Sequence, residues 1–155
     1  MADHVPPPDP IDMSRTVVVG IDGSPDSRRA LTWALDEARM RDMGCLLVHS
    51  VDLGVASATP FIDSRAFDAL PEAGRSILDD ELAFARQSGV RVQGRLGVGS
   101  AGQALIDASR GAGLLVVGSR GHGGFVGLLL GSVSTACVHH AHCPVLVIPP
   151  IGPEP

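Results

Sequence analysis

The 155-residue sequence contains no lysine; its twelve basic residues are all arginine, set against seventeen acidic ones, for a formal charge of −5. A P-loop ATPase is excluded, because G-x-x-x-x-G-K-[ST] needs its lysine to reach the phosphates. There is no broad positive field to draw nucleic acid or an anionic bilayer, and neither is expected as a partner. No apolar run approaches the roughly 20 residues that cross a membrane, and MADHVPPPDPIDMS lacks the basic and apolar regions of a leader. The three cysteines, Cys45, Cys137 and Cys143, are odd in number and form no CxxC pair, which argues against a disulfide framework. A cytoplasmic protein with reduced thiols is expected. No repeat with a period of 20 to 50 residues is present, so solenoids and propellers are excluded.

Low aromatic content and abundant glycine suit aliphatic strands joined by tight turns, and the length fits one domain. Residues 1–14 carry four prolines and little apolar pattern, so an unstructured extension is expected there, with a folded domain over 15–149 and a tail over 150–155. Within the domain, TVVVG (16–20), CLLVHS (45–50), VRVQGRL (90–96), LLVVG (114–118) and PVLVI (144–148) read as strands. TVVVG and LLVVG are continuously apolar, as strands covered on both faces must be. VRVQGRL alternates more than the others and is the weakest of the five. Helical spacing appears over about 26–41, 66–87, 101–109 and 132–140, with Ser24-Pro25 as a cap and first turn and Gly89 as a stop. Alternation of this kind specifies a single α/β domain with a parallel, Rossmann-like sheet and helices on both faces. Ligands of such sheets sit beyond the carboxyl ends of the strands, where strand order reverses.

Residues 117–134, VGSRGHGGFVGLLLGSVS, follow the fourth strand. Gly118-x-x-Gly121, nine residues, then Gly131-Ser132 suggests a phosphate cradle. Gly118 and Gly121 free the backbone angles so that N–H groups converge on an anion, while Gly131 and Ser132 bring a helix N-terminus and a hydroxyl. Ser134 adds a second hydroxyl, and Arg120 or His122 a charge. The alternative is a long turn that needs tight backbone. The GxGxxG dinucleotide fingerprint is missing after the first strand, which reads GIDGSPDS. That stretch distantly resembles the SGGxDS pyrophosphate loop of adenylating enzymes, but Pro25 removes an N–H such a loop would offer. Cys137, His139, His140, His142 and Cys143 are poorly spaced for a tetrahedral metal, since a helix there turns His139 away from Cys137 and His140. His49 reads as a strand-end residue rather than a base.

The glycine spacing, with VVVGIDGS near the start and CPVLVI at the end, resembles the ATP-binding branch of the universal stress protein family over roughly residues 15–149. The resemblance implies a five-stranded sheet of order 3-2-1-4-5. It implies adenosine contacts at Gly20, Ile21 and Asp22 and after the second strand at Ser50. Phosphate contacts are implied at Val117, Gly118, Gly121, Gly131, Ser132, Val133 and Ser134. It further implies ATP, with Mg²⁺ to offset phosphate charge, and a homodimer formed through the last strand, Val145 to Ile148. Some relatives prefer AMP or cyclic AMP, and a nucleotide-free dimeric scaffold is the other alternative. At most slow hydrolysis is expected, because no base is identified. Many relatives carry an aspartate where this chain has Gly113, a departure that affects a turn rather than a phosphate contact.

Overall fold

The computed structural model describes residues 11–53, 64–121 and 129–151. A 3₁₀ turn, Met13–Arg15, precedes the first strand, capped by the Asp12 carboxylate on the Ser14 N–H. Ile11 and Met13 pack on the apolar core, so the segment expected to be unstructured up to residue 14 is folded from Ile11 onward. The elements then run β1 (Thr16–Gly20), α1 (Pro25–Met40), β2 (Gly44–Val51), α2 (Ser64–Arg86), β3 (Val92–Val98), α3 (Ala101–Ala108), β4 (Leu114–Gly118), α4 (Ser132–His140) and β5 (Val145–Ile148). All five strands are parallel, in the order β3-β2-β1-β4-β5.

Alternating side chains of the central strands feed two cores. Val17, Val19 and Leu47 face α1 and α2, with Leu31, Leu35, Leu78 and Leu82 closing that layer. Val18, Leu46, Val48, Leu115 and Val117 face α3 and α4 and meet Leu105 and Cys137. Burial on both faces explains why β1 and β4 are unbroken apolar runs. β3 lies at an edge and is only half covered, which accounts for its mixed pattern.

Ser24 caps α1 by accepting from the Ser27 N–H, and Pro25 occupies the first helical position, where a missing N–H costs nothing. One flank of α1 is tied to α2 through Arg28, which forms a two-pronged pair with buried Glu81 (2.6 and 3.1 Å) and lies 4.1 Å over the Phe84 ring. The opposite flank carries half-exposed Trp33 and Arg29, whose guanidinium donates to the Pro149 carbonyl just past β5 (2.6 Å). Among the described residues no helix is long and apolar enough to cross a membrane.

Candidate functional site

The order reverses between β1 and β4, which leave the sheet in opposite directions: β1 leads through α1 to β2, β4 through α4 to β5. Beyond their carboxyl ends, on the face bearing α3 and α4, lies a cavity of about 890 Å³. Its walls bring together Gly20, Ile21, Asp22, Ser50, Val117, Gly118, Arg120, Gly121, Gly131, Ser132, Val133 and Ser134, which the sequence spreads over more than a hundred positions. His122 lies outside the described residues.

Its polarity is divided. At the α4 end, Gly131 is the N-cap and makes no side-chain cap bond, so the first-turn N–H groups of Ser132, Val133 and Ser134 have no acceptor among the described residues. The exposed Ser132 hydroxyl and the half-buried Arg120 guanidinium are likewise without a partner among the described residues. These groups concentrate donors and positive potential at one spot. Val48, Leu105, Ala101 and Val117 supply the apolar part of its wall, and Ser50 lines it as well.

The glycines are needed for a reason other than the one the sequence suggests. Gly118, Gly121 and Gly131 do not have positive φ; the positive-φ glycines among the described residues are Gly23, Gly89, Gly99 and Gly111. Space is what matters. A Cβ on Gly121 would lie 2.8 Å from Asp22 Oδ2, and one on Gly118 would lie 3.3 Å from the Arg120 carbonyl and 3.5 Å from that of Asp26. Gly20 is similar, since a Cβ there would meet Leu105 Cδ1 at 2.8 Å. At Gly131 the nearest atom would be 3.5 Å away, an ordinary contact.

Asp22 combines two roles. Oδ1 accepts from the Ser24 N–H (2.9 Å), closing the turn into α1, while Oδ2 faces Gly121. Ile21 contributes wall only: its N–H donates to the Val48 carbonyl (2.9 Å), its carbonyl accepts from His49 Nδ1 (2.8 Å), and its side chain belongs to the core on the far face. His49 is buried, with its ring bracing the ends of β1 and β2, and that bond requires the Nδ1–H tautomer. Ser134 is buried and its single proton is shared between the carbonyls of Ser119 (2.8 Å) and Gly131 (3.1 Å). It fastens α4 to the end of β4 and has no hydroxyl proton left for a phosphate, whatever its backbone N–H offers.

Leu105, Ala101, Val48, Thr135 and Asp52 also line the cavity and were not anticipated. Asp52 had a readable signal: it follows Ser50 by two residues, just past the end of β2, where the alternation of the strand carried one step further keeps the same side. Leu105 had none, because its approach to Gly20 depends on how α3 crosses the sheet. Among the described residues no group of three or more His, Cys, Asp or Glu side chains could hold a metal ion.

An open parallel sheet with a cavity at its switch point and unfilled donors at a helix N-terminus defines a class of small α/β ligand-binding domains. The sequence profile described as Universal stress protein family matches residues 13–149, and the chain belongs to that family. Universal stress protein Rv2623 of Mycobacterium tuberculosis is 36% identical over 138 residues, 85% of this chain and 46% of that protein. The chain spans about half the length of the curated relatives it matches. Among solved structures, a universal stress family protein from Burkholderia pseudomallei is 33% identical, with a TM-score of 0.68 and coverage of 91% of this chain and 100% of that one. A universal stress protein solved in complex with cAMP is 30% identical, with a TM-score of 0.66 and coverage of 86% and 96%.

Proposed function

We propose that the chain binds an adenine nucleotide, foremost ATP with Mg²⁺, in the cavity at the β1/β4 switch point, and acts as a cytoplasmic stress-response regulator whose homodimer responds to occupancy. The observation that carries this reading is the divided polarity of the cavity. The base and ribose take the apolar wall and Ser50, with Asp22, whose carboxylate abuts Gly121, as a ribose contact; the phosphates take the α4 end, where Ser132, the first-turn N–H groups, Gly121 and Arg120 supply donors. Mg²⁺ offsets the phosphate charge beyond what Arg120 and the backbone dipoles meet. No residue is assigned a catalytic role, so occupancy rather than turnover carries the signal.

β5 supplies the dimer contact. Its residues Val145, Leu146 and Val147 are half exposed and uncharged, on a strand whose outer edge has no partner among the described residues. Such an edge invites pairing with a second copy.

The test is calorimetry of purified protein with ATP and Mg²⁺, with mass spectrometry of any small molecule that co-purifies. Absence of both heat and bound nucleotide refutes nucleotide binding and leaves the dimeric scaffold. A second reading is AMP or cyclic AMP in the same cavity. It draws support from the relative solved with cAMP. Competition among the three nucleotides separates the readings.

A further inference from the structure

We infer that Trp33 belongs to the contact between two copies of this chain, where the indole of each copy closes a groove between the two α1 helices; this rests on the β5 contact proposed above. Trp33 is the one tryptophan of the chain, and it stands half exposed on α1 rather than in either core. Its place over β5 follows from Arg29. The Arg29 guanidinium holds the Pro149 carbonyl at 2.6 Å, which sets this flank of α1 above the carboxyl end of β5. Trp33 lies one turn further along the same flank, and α1 runs against the strands, so the indole falls about 5 Å back along β5, near the level of Val147.

α1 rests mainly on β1 and β4 and reaches β5 only with this flank. Leu146, on the α1 side of β5, is left half covered because nothing among the described residues lies outside it. A second copy pairing edge to edge fixes what covers both. A two-fold axis along the strands would set N–H opposite N–H, whereas one normal to the sheet sets donors opposite acceptors and leaves both α1 helices on one face. With strands about 4.8 Å apart, the helix axes then lie roughly 20 Å from each other, and helices about 10 Å across leave a cleft about 10 Å wide. Its floor is Leu146 of both copies, and an indole from each side fills it.

Charge also points to a second copy. The chain carries −5, so copies repel across most of their surface, but this strip is an exception. β5 holds no charged side chain, and within α1 and its cap Asp36 pairs with Arg39 (3.0 Å) and Glu37 with Arg41 (2.9 Å). Arg29, held on Pro149, is the one net charge left beside the edge. Two identical surfaces meet here with little charge of like sign between them, as a self-complementary contact requires.

The experiment uses the absence of any second tryptophan and of any tyrosine. Emission and acrylamide quenching of the full chain are followed along a dilution series while sedimentation reports mass, with Val147→Lys as the monomeric reference. The dimer should emit at shorter wavelength and be quenched at least about 2-fold less than that reference, and dilution should abolish both differences. Trp33→Ala should raise the dimer dissociation constant about 10-fold or more with an unchanged far-ultraviolet spectrum, whereas Trp33→Phe should stay within about 3-fold of wild type. A dimer whose tryptophan is quenched as in the monomer, or a Trp33→Ala variant that pairs as tightly as wild type, overturns the role of Trp33 and leaves the β5 contact standing. A wild-type protein that stays monomeric at every concentration overturns that contact as well and leaves the flank to a different partner.

Discussion

At the scale of single residues, Gly121 and Gly131 look equivalent in sequence and differ in space. Gly121→Ala pushes a methyl into the Asp22 carboxylate, 2.8 Å from where its Cβ must go. Nucleotide affinity should fall at least about 10-fold, because the carboxylate and the loop both move. Gly131→Ala meets nothing closer than 3.5 Å and should change stability in urea by less than about 1 kcal/mol, the cost of a weaker cap. Equal effects at the two positions would contradict the steric account. The sequence shows that glycines are wanted here, but it attributes them to backbone angles. Their need for room is not legible, because the neighbour of Gly121 is Asp22, about a hundred residues earlier in the chain. Arg28 teaches the same lesson, since its partner Glu81 is 53 residues away. Arg28→Ala should cost about 1–2 kcal/mol in chemical denaturation: it strands a buried carboxylate and uncovers Phe84, while a guanidinium that is 41% exposed keeps the loss below that of a fully buried pair.

At the scale of elements, much was readable. The runs at 16–20 and 114–118 are strands with those bounds, because continuous apolar burial and a following glycine leave little alternative. The helix expected over 132–140 has those bounds as well. The third strand shifts from 90–96 to Val92–Val98, since an edge strand with one open side lacks a period that would mark its ends. What the sequence withholds is how elements press on each other. α3 crosses close enough to β1 that Leu105 takes the space a side chain at position 20 would occupy. Leu105→Ala should cost about 2 kcal/mol, toward the low end for a leucine because it borders a cavity. Gly20→Ala alone should also destabilise, and the double variant should lose less than the two single losses summed, because the second change makes room for the first. Strict additivity in urea melts would show that α3 and β1 do not meet there.

For the molecule as a whole, the buried thiols set an alkaline limit. Burial raises the Cys45 thiol from its ordinary value of 9.0 to about 12, and Cys137, buried and close to Cys143, to about 11. Thiols raised in the folded state keep their protons while those of the unfolded chain ionise. Their contribution is therefore complete below pH 9 and is lost as pH rises through 11 and 12. Urea midpoints should be flat with respect to these groups near neutrality and decline above pH 9. The decline should be shallower in Cys45→Val, and an unchanged slope would remove Cys45 from the account. The proposed dimer has its own test: Val147→Lys places a charge on the half-exposed β5 edge, and light scattering should then show a monomer where the unmodified protein gives a dimer, with the far-ultraviolet spectrum unchanged.

The two sheet edges are unlike. β5 carries only aliphatic side chains, whereas β3 carries exposed Arg95 and is preceded by exposed Arg91. Two copies meeting at β5 would share one continuous sheet ending in β3 at both sides. Each free end would then present positive charge to any further strand. Association would be self-terminating: the edge that recruits a second copy is consumed by it, and the edges left over repel a third, so a pair closes where an open-ended fibre would otherwise begin.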